Sequence, residues 1–287
     1  MNRAAIFALL LIFWRAMPQV PPGAAEKYVT VYGAKIHYLE AGSGPAVILL
    51  HGLGGDALNW AATIGPLSQK YRVIVPDQIG FGKSDKPLMS YRVGTYVDFL
   101  EGFYRELKLE RASLVGNSLG GWIAAAFALA HPQKVDKLVL VDSAGYSLPK
   151  DFDPRIMRGL NASTREGIKQ MLPFVFYNRQ LFANDAVAEM LFARKVMVGD
   201  GYTIEKIIES IIRGEDVLDG RLSQLKHPTL IVWGRQDMLT PLWLGERLKK
   251  EIPNSELLII EECGHVPQIE KPAEFNSALI NFLGSSK

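Results

Sequence analysis

Short, largely apolar runs recur along the chain at residues 46–50, 71–76, 112–115, 135–141, 229–233 and 255–260. Such runs lack the polar alternation of a half-solvated strand and predict strands buried on both faces. Between them the apolar positions shift to helical spacing. Val97, Leu100, Phe103, Tyr104 and Leu107 form the stripe of a helix over residues 93–109. Further helices are predicted from near Trp60, through the Ala-rich stretch after Gly121, over residues 241–251 and over residues 272–282. Ahead of the first run, β-rich residues at 28–31 and 35–39 flank Tyr32-Gly33-Ala34, the pattern of an antiparallel hairpin. Strands alternating with helices imply an α/β fold around a mostly parallel sheet with right-handed crossovers.

This rhythm stops between residues 146 and 222. The stretch is helix-prone and rich in large apolar side chains (Met157, Leu160, Met171, Leu172, Phe174, Phe176, Tyr177, Leu181, Phe182, Met190, Leu191, Phe192, Met197), too long and too apolar for a loop. It predicts a helical cap inserted into the α/β domain. Most of these side chains are expected to build the cap's own core, and a minority to line the space between cap and sheet. The organisation expected is therefore an N-terminal apolar segment and linker (1–27), an α/β core (28–145 and 223–287) and a cap (146–222).

The N-terminus adds a second theme. Met1-Asn2-Arg3 precedes an apolar run at residues 4–14, and Gly23-Ala24-Ala25 offers small residues for cleavage. The pattern is that of an export signal, cleaved or retained, and favours a periplasmic, secreted or membrane-associated protein. The run is short for a span, which needs about 20 apolar residues. The competing readings are an uncleaved anchor at a membrane surface or on an apolar groove of the protein, and translation from Met17, which leaves a cytoplasmic enzyme. Elsewhere the composition is ordinary for a soluble protein with a large core: 287 residues, 48% hydrophobic and 22% charged. A net charge of +2 without a Lys/Arg cluster gives no footprint for nucleic acid. The single cysteine, Cys263, excludes an internal disulfide framework and a cysteine-based zinc site.

In open parallel sheets the ligand lies at the carboxyl ends of the strands, which selects the loops there. One of them is Gly116-Asn117-Ser118-Leu119-Gly120, between an apolar run and an Ala-rich helix. Strand, sharp turn and helix is the setting in which Gly-x-Ser-x-Gly is a nucleophile elbow. Gly116 and Gly120 leave room where a Cβ would meet the helix and the neighbouring strand, and Ser118 is expected in a strained conformation. A serine hydroxyl needs a base and a group that holds the base. Of five histidines, His37 lies inside an early strand, and His131 and His227 fall at the wrong end of the sheet. His51 opens a Gly-rich loop and is assigned to ordering it. His265, on a turn after the last strand, is the expected base. Asp237 and Asp142 both end strands and both satisfy the order Ser, Asp, His. Asp237, one strand before His265, is preferred; Asp142 is assigned to a cap hinge or to support of the elbow, and Asp77 to capping its own turn. The oxyanion donors are expected to be the N–H of Leu119 and that of Leu53, with Gly54 as the alternative to Leu53.

The set His51-Gly52-Leu53-Gly54-Gly55, Gly80-Phe81-Gly82-Lys83-Ser84-Asp85-Lys86-Pro87, Gly116-Asn117-Ser118-Leu119-Gly120-Gly121, Asp237 and Cys263-Gly264-His265 resembles the α/β-hydrolase superfamily. The resemblance covers the chain from Tyr28 onward. It implies an eight-stranded sheet with helices on both faces, a cap after the sixth strand and a Ser118–His265–Asp237 triad. Within the superfamily the chain is similar to bacterial esterases and monoacylglycerol-lipase-like hydrolases. Asn117 and Gly120-Gly121 also resemble the hydrolases that cleave carbon–carbon bonds in ring-fission products. Serine at the elbow argues against haloalkane dehalogenases and epoxide hydrolases, which use aspartate. Carbon–carbon hydrolases usually carry Trp after the catalytic histidine, where this chain has Val266-Pro267. The expectation is a carboxylic ester hydrolase acting on small apolar or aromatic esters through an acyl-enzyme, with no metal or organic cofactor. Carbon–carbon bond hydrolysis of vinylogous diketones is the alternative, and a non-catalytic ligand-binding protein on the same fold is the third reading.

Overall fold

A computed structural model describes residues 20–285, so the apolar segment at residues 4–14 and the alternative start at Met17 lie outside the described residues. Eight strands form one sheet: β1 (Ala25–Val31), β2 (Ala34–Ala41), β3 (Ala46–Leu50), β4 (Arg72–Pro76), β5 (Ala112–Asn117), β6 (Val135–Val141), β7 (Thr229–Gly234) and β8 (Ser255–Ile260). Their order is β1-β2-β4-β3-β5-β6-β7-β8. β2 pairs antiparallel with β1 and β4; every other pairing is parallel. This is the eight-stranded, mostly parallel sheet that the resemblance implied. β1 begins inside the stretch assigned to the linker, because Ala25 already pairs with Glu40. The polar character of Glu26 and Lys27 hides an edge strand, where side chains need not be apolar.

Each interior strand divides its side chains between the two faces, as a period of two requires. Ile48, Leu50, Ile74, Leu114, Leu138 and Leu140 join one core cluster. Val47, Leu49, Val73, Val75, Val115, Val139 and Val141 join the other. The first face is covered by α2 (Val93–Glu106), α3 (Leu119–Ala130) and α9 (Leu242–Glu251), and the second by α1 (Ala61–Ser68) and α10 (Pro272–Gly284). Burial on both faces is why the strands read as continuous apolar runs. α3 is buried at every position from Leu119 to Ala128, and its alanines let it pass between the sheet and α2.

Five helices lie between β6 and β7: α4 (Pro154–Gly159), α5 (Arg165–Val175), α6 (Arg179–Phe182), α7 (Asp185–Val198) and α8 (Gly201–Ile212). α8 is part of the main core, with Ile204, Ile207 and Ile208 buried among the residues of α2 and α3. The outer helices share only a small cluster, Ile168, Leu172 and Ala188. The expectation that most large apolar side chains here form a cap core is corrected: Phe174, Tyr177, Leu181 and Met197 are exposed. The cluster that the outer helices share is too small to cover them. Among the described residues no helix is long and apolar enough to cross a membrane.

Because α8 is locked into the sheet-side core, Ile208→Ala (0% exposed) should lower the stability of the whole molecule. About 2–5 kcal/mol is expected for such a truncation. Denaturant melts followed by tryptophan fluorescence should shift as one transition; an unchanged midpoint would show that α8 packs loosely.

Candidate active site

The strand order reverses direction at β3, which has β4 on one side and β5 on the other. Loops leaving β3 and β5 diverge there and open a crevice, the usual ligand position in such sheets. The β5 loop is the elbow. Ser118 has φ 55 and ψ −117, a conformation that costs a non-glycine residue about 1–3 kcal/mol. Three backbone bonds hold it: Ser118 N–H donates to Val141 O at 2.9 Å, and Ser118 O accepts from Trp122 N–H at 3.1 Å and Ala144 N–H at 3.2 Å. The flanking glycines are demanded by contact. A Cβ on Gly116 would lie 2.2 Å from Gly120 O, and one on Gly120 would lie 2.2 Å from Leu50 O. Helix and neighbouring strand are thus the obstacles, as the sequence suggested.

Leu119 opens α3, so its N–H has no intrahelical acceptor. Across the crevice, Gly55 N–H donates to Gly52 O at 3.1 Å and closes a tight turn around Leu53 and Gly54. His51 anchors that loop. Its Nε2 accepts from Gln78 N–H at 3.0 Å, its Nδ1 donates to Gly52 O at 2.8 Å, and Gln78 Nε2 returns a bond to His51 O at 2.8 Å. Both ring nitrogens are engaged, and burial pushes the imidazole pKa down, so His51 is a neutral loop-ordering residue. Asp77 does more than cap its own turn: it accepts from Ala57 N–H and Lys83 N–H, both at 2.7 Å, and from His37 Nδ1 at 2.8 Å.

His265 and Asp237 meet: Nδ1–H donates to Asp237 Oδ2 at 2.7 Å, with both residues 6% exposed. That bond fixes the tautomer and leaves Nε2 as the acceptor. Asp237 also accepts from Leu239 N–H at 2.8 Å, Thr240 N–H at 3.0 Å and Thr240 Oγ1 at 2.6 Å. Burial alone would raise the Asp237 carboxyl, but the His265 and Thr240 bonds outweigh it and hold the pKa below the usual carboxylate value. Asp142 lies against this pair, and the three side chains bring ligand-type atoms within 4.8 Å of one another. Asp142 Oδ1 accepts from Gly234 N–H at 2.9 Å. Cys263 is buried, and burial pushes its thiol pKa up, out of the reactive range.

Asn117 Nδ2 donates to His265 O at 3.0 Å and Val141 O at 3.2 Å, tying the histidine loop to the residue beside Ser118. Among the described residues Ser118 Oγ forms no hydrogen bond, so the serine–imidazole link is the one step of the expected chain that is not closed. Such links often tighten only around substrate. The cap is fastened at both sides of the crevice. His265 N–H donates to Val175 O at 2.8 Å, and Glu270 accepts from Gly264, Tyr177 and Asn178 N–H at 2.8, 2.9 and 3.0 Å. On the other side Arg194 of α7 donates to Gly54 O at 2.9 Å and to Asp56 Oδ2 at 2.8 and 3.1 Å. Sequence reading missed Asn117 as a tie, Thr240, Glu270 and Arg194. Only Asn117 had a local signal, its place beside the nucleophile; the others act across 93 to 140 residues of chain or as ordinary turn residues.

The model of the alpha/beta hydrolase fold family matches residues 45–272. The chain belongs to that family. It is 31% identical over 277 residues to the 2-hydroxymuconate semialdehyde hydrolase of Pseudomonas sp. strain CF600, covering 94% of this chain and 97% of that one. Other relatives are named as hydrolases of 2-hydroxy-6-oxo dienoates and dienedioates. The meta-cleavage product hydrolase from Pseudomonas fluorescens IP01 superposes with a TM-score of 0.83 at 31% identity, over 91% of this chain and 98% of that chain. A membrane phospholipase A described as a bacterial virulence factor superposes with a TM-score of 0.85 at 32% identity, over 97% of this chain and 91% of that one. This α/β hydrolase is a serine hydrolase. The expectation of a carboxylic ester hydrolase is overturned: the sequence relatives above and the Pseudomonas fluorescens structure are named for hydrolysis of 2-hydroxymuconate semialdehyde, 2-hydroxy-6-oxo dienoates and a meta-cleavage product, the reading first held as the alternative. The missing Trp after His265 misled, because that position reports one neighbour of the base and not the bond that is broken.

Two outcomes follow. Asn117→Ala should cut kcat by about tenfold to a hundredfold, the scale of one lost positioning hydrogen bond, with little change in KM; equal kcat would remove Asn117 from the site. The depressed pKa of Asp237 contributes stability above its unfolded value, near 4, and that contribution disappears as pH falls through the folded value. The melting temperatures of the parent and Asp237→Asn should therefore converge below about pH 4, and a gap independent of pH would contradict it.

Proposed function

We propose that the protein hydrolyses a carbon–carbon bond in 2-hydroxy-6-oxo dienoates, with Ser118 as nucleophile, His265 as base and acid, and Asp237 as the group that orients it. The observation that carries this reading is likeness along nearly the whole chain to a hydrolase of 2-hydroxymuconate semialdehyde. Chemistry and geometry are compatible with it. Ketonisation moves the proton of the 2-enol to the carbon beside the 6-carbonyl. Ser118 Oγ then adds to that carbonyl as its proton passes to His265 Nε2, and the N–H groups of Leu53 and Leu119 hold the oxyanion. Collapse breaks the bond between C5 and C6. The electron pair runs through the conjugated chain to the 2-oxygen, and the dienolate takes the proton from His265. Water, deprotonated by His265, releases the acyl group from Ser118 as a carboxylic acid.

Such a substrate is anionic, and Arg194 brings a cation to the oxyanion loop. Its three bonds to Gly54 and Asp56 leave two of its five N–H donors for a carboxylate. Ile204 of α8, with its Cδ1 3.4 Å from where a Cβ on Gly54 would stand, supplies an apolar roof over the conjugated chain.

The test is parallel turnover of 2-hydroxymuconate semialdehyde and a short-chain aryl ester by the parent enzyme and Ser118→Ala. Expected is a kcat/KM for the semialdehyde at least about a hundredfold above that for the ester, abolished by Ser118→Ala. Ester turnover without dienoate turnover would refute the reading. Arg194→Met should raise KM for the semialdehyde more than for the neutral ester; equal effects would show that Arg194 only fastens the cap.

A further inference from the structure

Beneath the histidine lies a second carboxyl group that the mechanism above does not use. Asp142 follows β6 with φ 43 and is 0% exposed. Its Oδ1 accepts the Gly234 N–H, and its carbonyl oxygen lies 3.1 Å from Thr240 Oγ1, whose proton goes to Asp237. Its Oδ2 is buried and makes no bond to any donor among the described residues. The titratable groups around it are Asp237 and His265 within 4.8 Å, together with Glu270 and the Cys263 thiol. Three of these four are acids. Asp237 is already the acceptor for the His265 Nδ1–H and the Thr240 backbone and hydroxyl, so of the two carboxyls it is the one stabilised as an anion.

Two carboxylates this close in a buried site cannot both ionise, and the proton resides on the one with fewer donors. We propose that Asp142 is a positioning residue of the triad: its carboxyl keeps a proton and donates it to Asp237, so that His265 faces a hydrogen-bonded pair of acids carrying a single negative charge. This inference rests on the Ser118–His265–Asp237 reading. Burial first, and the Asp237 charge second, push the Asp142 pKa well above the usual carboxylate value, which agrees with the placement of the proton. The bond has two consequences. It adds a donor to the Asp237 carboxylate beside those of Leu239, Thr240 and His265, so that Oδ2 stays pointed at Nδ1. It also draws charge from Asp237, so that the imidazole faces one shared negative charge and not two.

The test follows the rate at which a fluorophosphonate labels Ser118 across pH in the parent, Asp142→Asn and Asp142→Ala. This readout does not depend on whether the enzyme prefers carbon–carbon or ester bonds. Asn keeps an N–H donor for Asp237 and a carbonyl for Gly234, so the neutral-pH rate should stay within about threefold and the acid limb of the profile should not move. Ala removes the donor; the rate should fall about tenfold or more, and the acid limb should move to higher pH because an unshared Asp237 charge favours the imidazolium. If Asp142 were ionised, both substitutions would remove a negative charge and move the limb to lower pH, which would overturn the proposal. Asp142→Asn damaged as badly as Asp142→Ala would also overturn it. A parent enzyme that is not labelled at Ser118 would end the triad reading and this inference with it. The melting temperature gives a check without chemistry. A raised folded pKa makes the native state lose stability as pH rises above the unfolded value, so Asp142→Asn should gain on the parent from about pH 4 upward. A gap that does not grow with pH would contradict a protonated Asp142.

Discussion

The backbone of Ser118 is held where an L-residue resists going, and the site is built from that one constraint. At φ 55 the chain turns from β5 into α3 within a residue, so the hydroxyl and the first free N–H of the helix face the same space. The strain is sustained because the surroundings leave no other course. β6 accepts the Ser118 N–H, the loop after β6 donates to its carbonyl, and the two glycines allow helix and strand to close around it. Stability from the large buried sheet is spent locally on geometry, as at many catalytic centres.

The rest of the site is arranged by what that turn presents. β3 lies beside β5, and the parallel pairing of Leu50 with Gly116 brings the loop after β3 against the elbow. His51 locks the loop as a neutral ring, and the charge beside that loop comes from the Arg194–Asp56 pair. Asn117 joins the elbow to the histidine loop, and Asp142, Thr240 and Gly234 join that loop's carboxylate to β6 and β7. The cap then closes from two sides, through Glu270 near the base and Arg194 near the oxyanion loop. Of these joints, Arg194 is the one that meets the loop after β3.

Much of this was legible in the sequence because it depends on local rules. Continuous apolar runs marked strands covered on both faces, and the strand-end rule narrowed five histidines to two. Gly116 and Gly120 declared a sharp turn before any coordinate did. What stayed hidden has a common physical origin. Glu270, Thr240 and Arg194 look like surface or turn residues, and only folding sets them against partners far away in the chain. The cap's apolar richness suggested a core, yet Phe174, Tyr177, Leu181 and Met197 face outward and the shared cluster is small. Reaction class was harder still, because one triad serves an ester and a vinylogous ketone equally well; the difference lies in what the leaving carbon can delocalise, a property of the substrate.

The most direct measurement of the central claim, that the strained elbow and the β3 loop together define where charge develops, is a crystal structure of Ser118→Ala with a 2-hydroxy-6-oxo dienoate bound. The 6-carbonyl oxygen is expected about 2.7–3.1 Å from both the Leu53 and Leu119 nitrogens, with the carbonyl carbon facing the position of the missing hydroxyl. A dienoate bound with that carbonyl turned away from both N–H groups would contradict it.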